Sequence, residues 1–453
     1  MEQSLPRIVK LENPATEMRI EHVQLFDSVE GQMQTDQTVI VRGDRIVWAG
    51  DSADPAIPAA GAAAIRVDGR GKTLLPGFID AHVHIAGSAS PLWQMAVPNM
   101  PRNLESLLYA GVTSAVSLGH PKSMSAGLRG ALQSGGLDGP DVYLAQGQFT
   151  TVGGYATGIG KNVTPEFMQE TMHREYYFQA DTVPDLEEHL TEFKAAAPDV
   201  MKIMIEQDQP DGPVINDDVL RRAAAEAHEM GIPVVAHVGS VTDAMRASEA
   251  GLTGLAHTPY KGELTDEQVT RLAESDIYVM TTLRIQDEMA DLLKSDHAFE
   301  ITEMAHKVLD PEIVELLQQR PDGWQYPEPW PWFLGLMAAA KDDKNRNMRK
   351  LYKAGVKIVV ATDAGSFFGR GFGHSMHEEL ETVVAAGLPT IAALQGATIQ
   401  AARCMQIDEK VGSIEAGKQA DLVLLGADPS ADIRNTTQIE AVYSKGRLVK
   451  RLS

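Results

Sequence analysis

Two histidines separated by one residue, His82 and His84, are the side chains whose type and spacing most directly indicate chemistry. They close the segment 76–84, which reads Pro-Gly-Phe-Ile-Asp-Ala-His-Val-His and has the apolar character of a buried strand. Side chains two apart on a strand point to the same face, so both imidazoles can reach one cation. Imidazole suits zinc and neighbouring metals. Two alternating histidines also occur by chance in strands, so the pair alone indicates a metal site only weakly. Its position after Leu-Leu-Pro-Gly, at the start of the predicted barrel, strengthens that interpretation.

Four further polar residues lie within or at the end of apolar runs: Lys202, His237, His257 and Asp363. Each has a structural explanation when taken singly. A lysine in an apolar strand is costly unless compensated, and it can reach the rim with its ammonium group. A lone histidine at a strand end is more often structural than a ligand, and an aspartate there can cap the next helix. Their chemistry depends on whether the fold brings them together.

The middle of the chain alternates short apolar runs with helical patterns, which is typical of a parallel sheet in an α/β protein. Glycines follow several of the helices, as at Gly111, Gly231 and Gly251. Eight runs predict the strands of a (β/α)8 TIM barrel: Leu74–His84, Thr113–Leu118, Asp141–Gln148, Val200–Glu206, Pro233–Val238, Gly254–Thr258, Ile277–Leu283 and Lys357–Thr362. In such a barrel the carboxyl ends of the strands share one mouth, where active sites lie.

Both ends of the chain are rich in short strand patterns separated by glycine turns. They predict one small β-sandwich built from residues 1–71 and 405–453, beside a catalytic barrel over 72–404. A long insertion near 284–350 interrupts the barrel pattern and contains a Trp- and Pro-rich stretch. Such an insertion is typical of a lid, a specificity loop or an oligomer contact. Its aromatic side chains either line a pocket or pack the insertion onto the barrel or a partner subunit.

Composition excludes several classes of protein. The chain has 453 residues and a formal net charge of −22, which disfavours binding to nucleic acid and to anionic membranes. One cysteine, Cys404, allows neither an intrachain disulfide nor a thiolate cluster. No run of 18 apolar residues and no N-terminal signal pattern is present in the sequence. We expect a cytoplasmic homo-oligomer that acts on a small molecule.

The pattern Pro-Gly-x-Ile-Asp-x-His-x-His resembles the first-strand motif of the amidohydrolase superfamily. It is similar in particular to the binuclear-metal group that contains imidazolonepropionase-like and Xaa-Pro-dipeptidase-like enzymes. The segment 110–113 (Ala-Gly-Val-Thr) and the segment 412–422 near the C-terminus also match that group. The resemblance covers nearly the whole chain and is specific for the superfamily, but not for a substrate.

The resemblance implies a site of two divalent ions, zinc by preference, with cobalt, manganese or iron as alternatives. It implies that Lys202 is carboxylated and bridges the ions, and that Asp363 both binds metal and accepts the proton of a bridging hydroxide. That hydroxide would attack an amide-like C–N bond. The implied metal ligands are His82, His84, Lys202, His237, His257 and Asp363.

Three segments depart from the dipeptidase-like pattern. The Gly-Gly-His expected after the third strand is Gly153-Gly154-Tyr155, the Gly-Gly after Lys202 is replaced by a stretch containing Glu206, and the His-Ala-Tyr of the fifth strand is His-Val-Gly here. These departures favour a hydrolase other than a dipeptidase. Candidate substrate contacts near the strand ends are His120, Tyr155, Arg284 and His374.

The sequence does not identify the substrate class. Candidates are an N-acyl amino acid, a dipeptide-like compound, a cyclic amide, a carbamate or a urea. Hydrolysis of a lactone or an organophosphate ester is the alternative within enzymes, because the same nucleophile attacks comparable electrophiles. A non-catalytic scaffold is the alternative outside enzymes, and it is disfavoured because such a protein need not retain a complete ligand set.

Overall fold

The chain adopts a mixed α/β fold in a computed structural model that describes residues 6–155, 157, 166–207, 211–294, 297–366 and 369–452. Strands are short in the middle of the chain and longer near its start. In chain order the strands are β1 (Val9–Leu11), β2 (Met18–Asp27), β3 (Gln32–Arg42), β4 (Arg45–Asp51), β5 (Ile65–Asp68), β6 (Thr73–Pro76), β7 (Phe78–Val83), β8 (Val112–Ser117), β9 (Asp141–Leu144), β10 (Gln148–Thr150), β11 (Tyr177–Gln179), β12 (Met201–Met204), β13 (Val234–His237), β14 (Gly254–Ala256), β15 (Tyr278–Met280), β16 (Lys357–Val359), β17 (Leu422–Leu425), β18 (Ile439–Ser444) and β19 (Arg447–Arg451).

Helices alternate with the middle strands, as the sequence pattern predicts. Several begin at Ser, Thr or Asn caps, for example Thr182 and Ser240, whose side chains accept a hydrogen bond from a first-turn N–H. The helices are α1 (Met100–Tyr109), α2 (Ser125–Gln133), α3 (Glu166–Tyr176), α4 (Val183–Ala195), α5 (Asp217–Met230), α6 (Val241–Glu249), α7 (Asp266–Glu274), α8 (Leu283–Asp291), α9 (Glu303–Val308), α10 (Pro311–Gln318), α11 (Trp330–Ala339), α12 (Lys341–Lys353), α13 (His374–Ala385), α14 (Thr390–Gly396) and α15 (Ile399–Cys404).

Strands from both ends of the chain share one sheet. Its order is β1-β19-β18-β17-β6-β2-β3-β4, with β5 beside β2, and β17 pairs antiparallel with β6. Alternate side chains such as Ile20, Val39 and Leu424 are buried in a core of this sheet. The described strands from the two ends of the chain form a single sheet, so the predicted β-sandwich is not confirmed. The domain boundaries 1–71, 72–404 and 405–453 stay predictions.

The parallel strands of the middle form two sheets rather than one continuous closed ladder. One has the order β7-β8-β9, and the other has the order β11-β10-β12-β13-β14-β15-β16. The predicted third strand, Asp141–Gln148, is broken at Gln146 and Gly147, whose φ values of 57° and 101° lie outside the range of regular β-strands. Its first part, β9, therefore pairs with β8, while β10 pairs with β11 and β12.

The predicted first strand, Leu74–His84, is also two strands. Pro76 lacks the N–H that a ladder needs, and β6 pairs with β17 of the terminal sheet whereas β7 pairs with β8. Gly77 lies between them and donates its N–H to the carbonyl of Asp421 at 2.8 Å. A Cβ atom on Gly77 would come within 2.0 Å of Thr113 Oγ1. The chain thus passes from one sheet to the other at a point where only glycine fits.

The insertion after β15 is helical and well packed. It contains α8 to α12, and its aromatic side chains Trp330 and Phe333 are buried in one core with Val442 and Val449 of the terminal sheet. This favours the packing role of those aromatic residues over a pocket. None of the helices described here is long and apolar enough to cross a membrane.

We expect Gly77→Ala to lower the free energy of unfolding by about 1–3 kcal/mol, because the added methyl group overpacks a site closed by the buried Thr113 side chain. The matched control is Gly127→Ala in α2, where a Cβ would meet no atom within 4 Å. That control should leave stability unchanged or raised, since alanine favours a helix over glycine. Thermal and denaturant unfolding of both variants would measure the difference, and equal midpoints would contradict the tight passage at Gly77.

Candidate metal centre

One cluster of candidate ligands forms at the end of β7. The Oδ1 atom of Asp363 lies 2.9 Å from Nε2 of His84 and 3.4 Å from Nε2 of His82. Asp363 takes a left-handed backbone conformation with φ of 57°, and its N–H donates to the carbonyl of His82 at 2.8 Å. One ligand atom from each residue lies within 4.8 Å of the others, so the three could hold one cation.

A buried carboxylate, Asp80, fixes the chain around this cluster. It accepts hydrogen bonds from the N–H of Thr362 at 3.1 Å and from the Thr362 hydroxyl at 2.6 Å. Burial raises the pKa of Asp80 to about 7, although the bonds from Thr362 oppose that shift. Because Asp80 precedes His82 by two residues and Thr362 precedes Asp363, these bonds tie the segments that carry the two candidate ligands.

A second pair of candidate ligands comes from β13 and the residue after β14. Nδ1 of His237 lies 3.1 Å from Nε2 of His257. The opposite nitrogen of each ring has its own partner: His237 Nε2 is 2.6 Å from Glu206 Oε2, and His257 Nδ1 is 2.5 Å from the hydroxyl of Thr282. A carboxylate only accepts hydrogen bonds, so the proton of neutral His237 belongs on Nε2 and a lone pair is left on Nδ1.

The His82 ring connects the two groups. Its centroid lies 5.3 Å from that of His84 and 5.1 Å from that of His257. Burial, followed by the charge on Lys202, holds the pKa of His82 and of His237 well below the usual range, and burial does the same for His257. These imidazoles are therefore neutral at physiological pH, which is the form that binds a metal.

Lys202 in β12 lies among these groups with its side chain buried. Its Nζ atom has no hydrogen-bond partner in the part of the chain that the structure describes. Burial lowers the pKa of its amine to about 7, and the carboxylate of Asp363 opposes that shift. Burial raises the pKa of Asp363, but the hydrogen bond from His84 and the charge of His84 oppose that effect, and the pKa is lowered overall.

This donor set fits a centre of divalent cations. Nδ1 of His82 and Nζ of Lys202 are buried and have no hydrogen-bond partner among the described residues. Buried polar atoms without a partner are costly, and a bound cation removes that cost. Four imidazoles and a carboxylate are ligands that suit zinc and neighbouring metals. The residues present therefore fit the metals implied by the sequence.

The centre is enclosed on one side and open on the other. The side chain of His237 is 9% exposed, and its ring face is covered by Tyr155, with 3.9 Å between ring centroids. The side chains of His84 and Asp363 are 26% and 15% exposed. Gly119 borders His84, and a Cβ there would come within 2.7 Å of His84 Nδ1. Solvent and ligands can thus approach from the side of His84 and Asp363.

Among the predicted substrate contacts, Tyr155 lies against the ring of His237, and His120 is the second one considered. The His120 side chain is fully buried, and burial, followed by the charge of Arg129, lowers its pKa to about 4. Both of its ring nitrogens lack partners among the residues described. The Arg129 side chain that acts on His120 lies on α2 and also pairs with Asp199. A substrate role for either residue stays a prediction.

Arg284 and His374 lie in salt-bridge networks. The Arg284 guanidinium is 3.3 Å from Glu300 and 3.9 Å from Glu288. His374 Nδ1 lies 3.0 Å from Glu378 Oε1, and burial, then the charge of Arg370, hold the pKa of His374 well below its usual range. Neither belongs to the ligand cluster of His82, His84 and Asp363, and their proposed contacts with substrate stay predictions.

Sequence reasoning missed three residues that support the ligands: Asp80, Glu206 and Thr282. Asp80 lies inside the motif that contains His82 and His84, so its position could have indicated a supporting role. Glu206 was noted only as a departure after Lys202, because its proximity to His237 depends on the register of β12 and β13, in which Met204 pairs with His237. Thr282 has a φ of 47°, which its sequence does not indicate.

The chain is similar to known hydrolases in sequence and in fold. The model of the "Amidohydrolase family" matches residues 73–449. Imidazolonepropionase from Treponema denticola is 22% identical over 412 residues, which are 84% of this chain and 84% of that protein. The family model therefore covers both parallel sheets and most of the C-terminal strands.

Solved structures show the same fold. A Xaa-Pro dipeptidase with bound methionine in its active site superimposes with a TM-score of 0.76 and 22% identity, over 96% of this chain and 100% of that one. Molinate hydrolase superimposes with a TM-score of 0.75 and 18% identity, over 96% and 95% of the two chains. At these identities the likeness concerns the fold, not the substrate.

We expect protein loaded with Zn²⁺ or Co²⁺ to retain metal through desalting, and His82→Ala to retain less, because its ring borders both candidate ligand groups. The matched control is His228→Ala, which removes an exposed histidine on α5. Elemental analysis of the purified proteins gives the metal content per chain. Equal metal content in His82→Ala and wild type would contradict the assignment of His82 as a ligand.

Proposed function

The chain belongs to the amidohydrolase family and hydrolyses carbon–nitrogen bonds, and we propose that it is a metal-dependent enzyme that cleaves an amide-like bond of a small molecule. The observation that carries this proposal is the convergence of neutral imidazoles and a carboxylate near the carboxyl ends of parallel strands, together with the buried amine of Lys202 from within β12. Parallel α/β folds place their reactive groups at that edge.

We propose further that the two parallel sheets close into a (β/α)8 barrel. Contacts at both junctions support this: the N–H of Asp199 donates to the carbonyl of Leu144 at 3.0 Å, and Val83 forms a parallel bridge with Ala364. The first contact joins the end of β9 to the approach to β12, and the second joins β7 to the segment after β16. The ligand residues would then face one mouth.

In the proposed centre, His82, His84 and Asp363 would hold one divalent ion, and His237 and His257 would hold the other. Lys202 would bridge them as a carbamate: its neutral amine adds to CO2, the nitrogen loses one proton, and a carboxylate results. The buried and unpartnered Nζ supports this, since the carbamate replaces an isolated amine with an anionic oxygen ligand. When bound, such ions activate a water at neutral pH and polarise the scissile carbonyl.

The protein's own residues would orient the reaction and move the proton. Oδ1 of Asp363 would accept a proton from the attacking water and release it to the leaving nitrogen, which makes this side chain both ligand and general base. Thr282 holds the imidazole of His257, and Asp80 ties Thr362 next to Asp363. These contacts fix the geometry before substrate arrives, which reduces the reorganisation needed for reaction.

A panel of substrates tests the proposed bond class. We expect metal-loaded protein to hydrolyse at least one N-acyl amino acid, dipeptide, cyclic amide, carbamate or urea, and the chelator-treated protein to lose that activity until metal is restored. Lactones and phosphotriesters are included in the same panel. Turnover of these esters alone would contradict the amide-like substrate, and metal-free activity equal to that of the loaded protein would contradict the metal-dependent mechanism.

Asp363→Asn should lower kcat by about 10²–10⁴-fold at saturating metal, because general acid–base catalysis contributes about that much. KM should change far less, since the proton transfer occurs in the transition state. Steady-state kinetics of the fully metal-loaded variant gives both constants, and loading is checked by elemental analysis so that a vacant site does not imitate a lost base. Turnover within a few-fold of wild type would assign the proton to another residue.

A further inference from the structure

A buried carboxylate behind the candidate ligands, Glu206, has no role in the mechanism described so far. It follows β12 by two residues, and its side chain is 0% exposed. Its Oε2 atom lies 2.6 Å from Nε2 of His237, while Nδ1 of that ring faces His257. One imidazole thus contacts Glu206 through one nitrogen and the candidate metal centre through the other.

We propose that Glu206 is a positioning residue that fixes the tautomer and orientation of His237 and thereby sets the affinity of the centre for one of its two metal ions. This inference rests on the proposed metal centre. Glu206 does not itself act as a ligand to that ion, because the His237 ring stands between its carboxylate and His257. Carboxylates that accept the second N–H of a ligating histidine orient the ring and make it more basic.

The second oxygen of Glu206 is held as firmly as the first. Oε1 accepts a hydrogen bond from the hydroxyl of Tyr260 and lies 2.6 Å from the ammonium of Lys261. Lys261 also donates to the carbonyl of Gln207 at 2.8 Å. A buried carboxylate is costly unless it is paired and hydrogen-bonded, and here both conditions are met. The carboxylate therefore has little freedom to turn away from His237.

The backbone at Gly239 is shaped around this carboxylate. A Cβ atom at Gly239 would come within 2.1 Å of Glu206 Oε1. The carbonyl of Gly239 accepts the N–H groups of Tyr260 at 2.9 Å and Lys261 at 2.8 Å, which places both partners of Glu206. The glycine after the His237 strand and the glutamate after the Lys202 strand are thus parts of one arrangement, although they are far apart in the sequence.

Two variants test the inference, with Co²⁺ alone as the probe. Glu206→Gln keeps the size of the side chain but removes its charge, and we expect it to weaken the binding of one Co²⁺ equivalent by about 10–100-fold, the range for such partners of metal ligands. The other equivalent should bind as in wild type. Lys261→Met removes the ammonium that pairs with Glu206, and we expect a loss of about tenfold in the same equivalent. Chelator competition measures both affinities.

The matched control is Glu226→Gln, which neutralises another buried carboxylate that is paired with Lys194 and Arg222. We expect its Co²⁺ affinities to equal those of wild type. A merely structural role of Glu206 predicts lower thermal stability of the metal-free protein with both Co²⁺ affinities retained in the folded fraction. That result, or Co²⁺ affinities within twofold of wild type in Glu206→Gln and Lys261→Met, would overturn the inference.

His237→Ala separates this inference from the proposed metal centre. If wild type binds no Co²⁺, or if His237→Ala binds it like wild type, the metal centre itself is wrong at this position. If His237→Ala loses one equivalent while both Glu206→Gln and Lys261→Met bind normally, only the positioning role is overturned. If Glu206→Gln fails to fold, Lys261→Met decides alone, because the Lys261 side chain is 20% exposed and its truncation leaves no large cavity.

Discussion

The burial of imidazole and amine nitrogens around the ends of the middle strands is the constraint on which the rest of this structure depends. Nδ1 of His82 and Nζ of Lys202 are buried without a hydrogen-bond partner among the described residues, and His237 Nδ1 lies 3.1 Å from His257 Nε2. Each unsatisfied polar group in such a place costs about 1–3 kcal/mol. The fold must offset that cost elsewhere, and the apolar flanks of the same strands, such as Val234–Val235 beside His237, do so by packing.

The backbone leaves regular strand geometry close to these groups, after β15 and after β16. Thr282 and Asp363 both have φ near 50° to 60°, a conformation that side chains other than glycine seldom adopt. Each is stabilised from outside its own turn. Glu379 of α13 accepts the N–H groups of Leu283 and Arg284, both at 2.8 Å, and Asp80 binds Thr362. The strain at the ends of β15 and β16 is thus offset by buried carboxylates.

The sequence predicts the order of the elements better than their continuity. Alternating apolar runs located the strands that carry Lys202, His237 and His257, because burial on both faces leaves a clear signal. The pattern of apolar runs did not show that the first and third predicted strands are each divided. These breaks depend on Pro76 and on the backbone conformations of Gln146 and Gly147. The supporting carboxylate of Glu206 was also beyond prediction. Its contact with His237 arises from strand register, and a single glutamate in a loop gives no sign of its partner.

The departures from the dipeptidase-like pattern have a different meaning once their positions are known. Glu206, Gly239 and Tyr155 all lie on the enclosed side of the centre, around the ring of His237. In the proposed centre, a residue there would act first on the orientation of a candidate ligand and only through it on the reaction. The open side is bordered by His84 and Asp363, whose side chains remain partly exposed. We expect a substrate to present its scissile bond on that side. The turns after β7, β8 and β16 should then govern which compound is accepted, while the segments around His237 should govern how tightly the proposed metal is held.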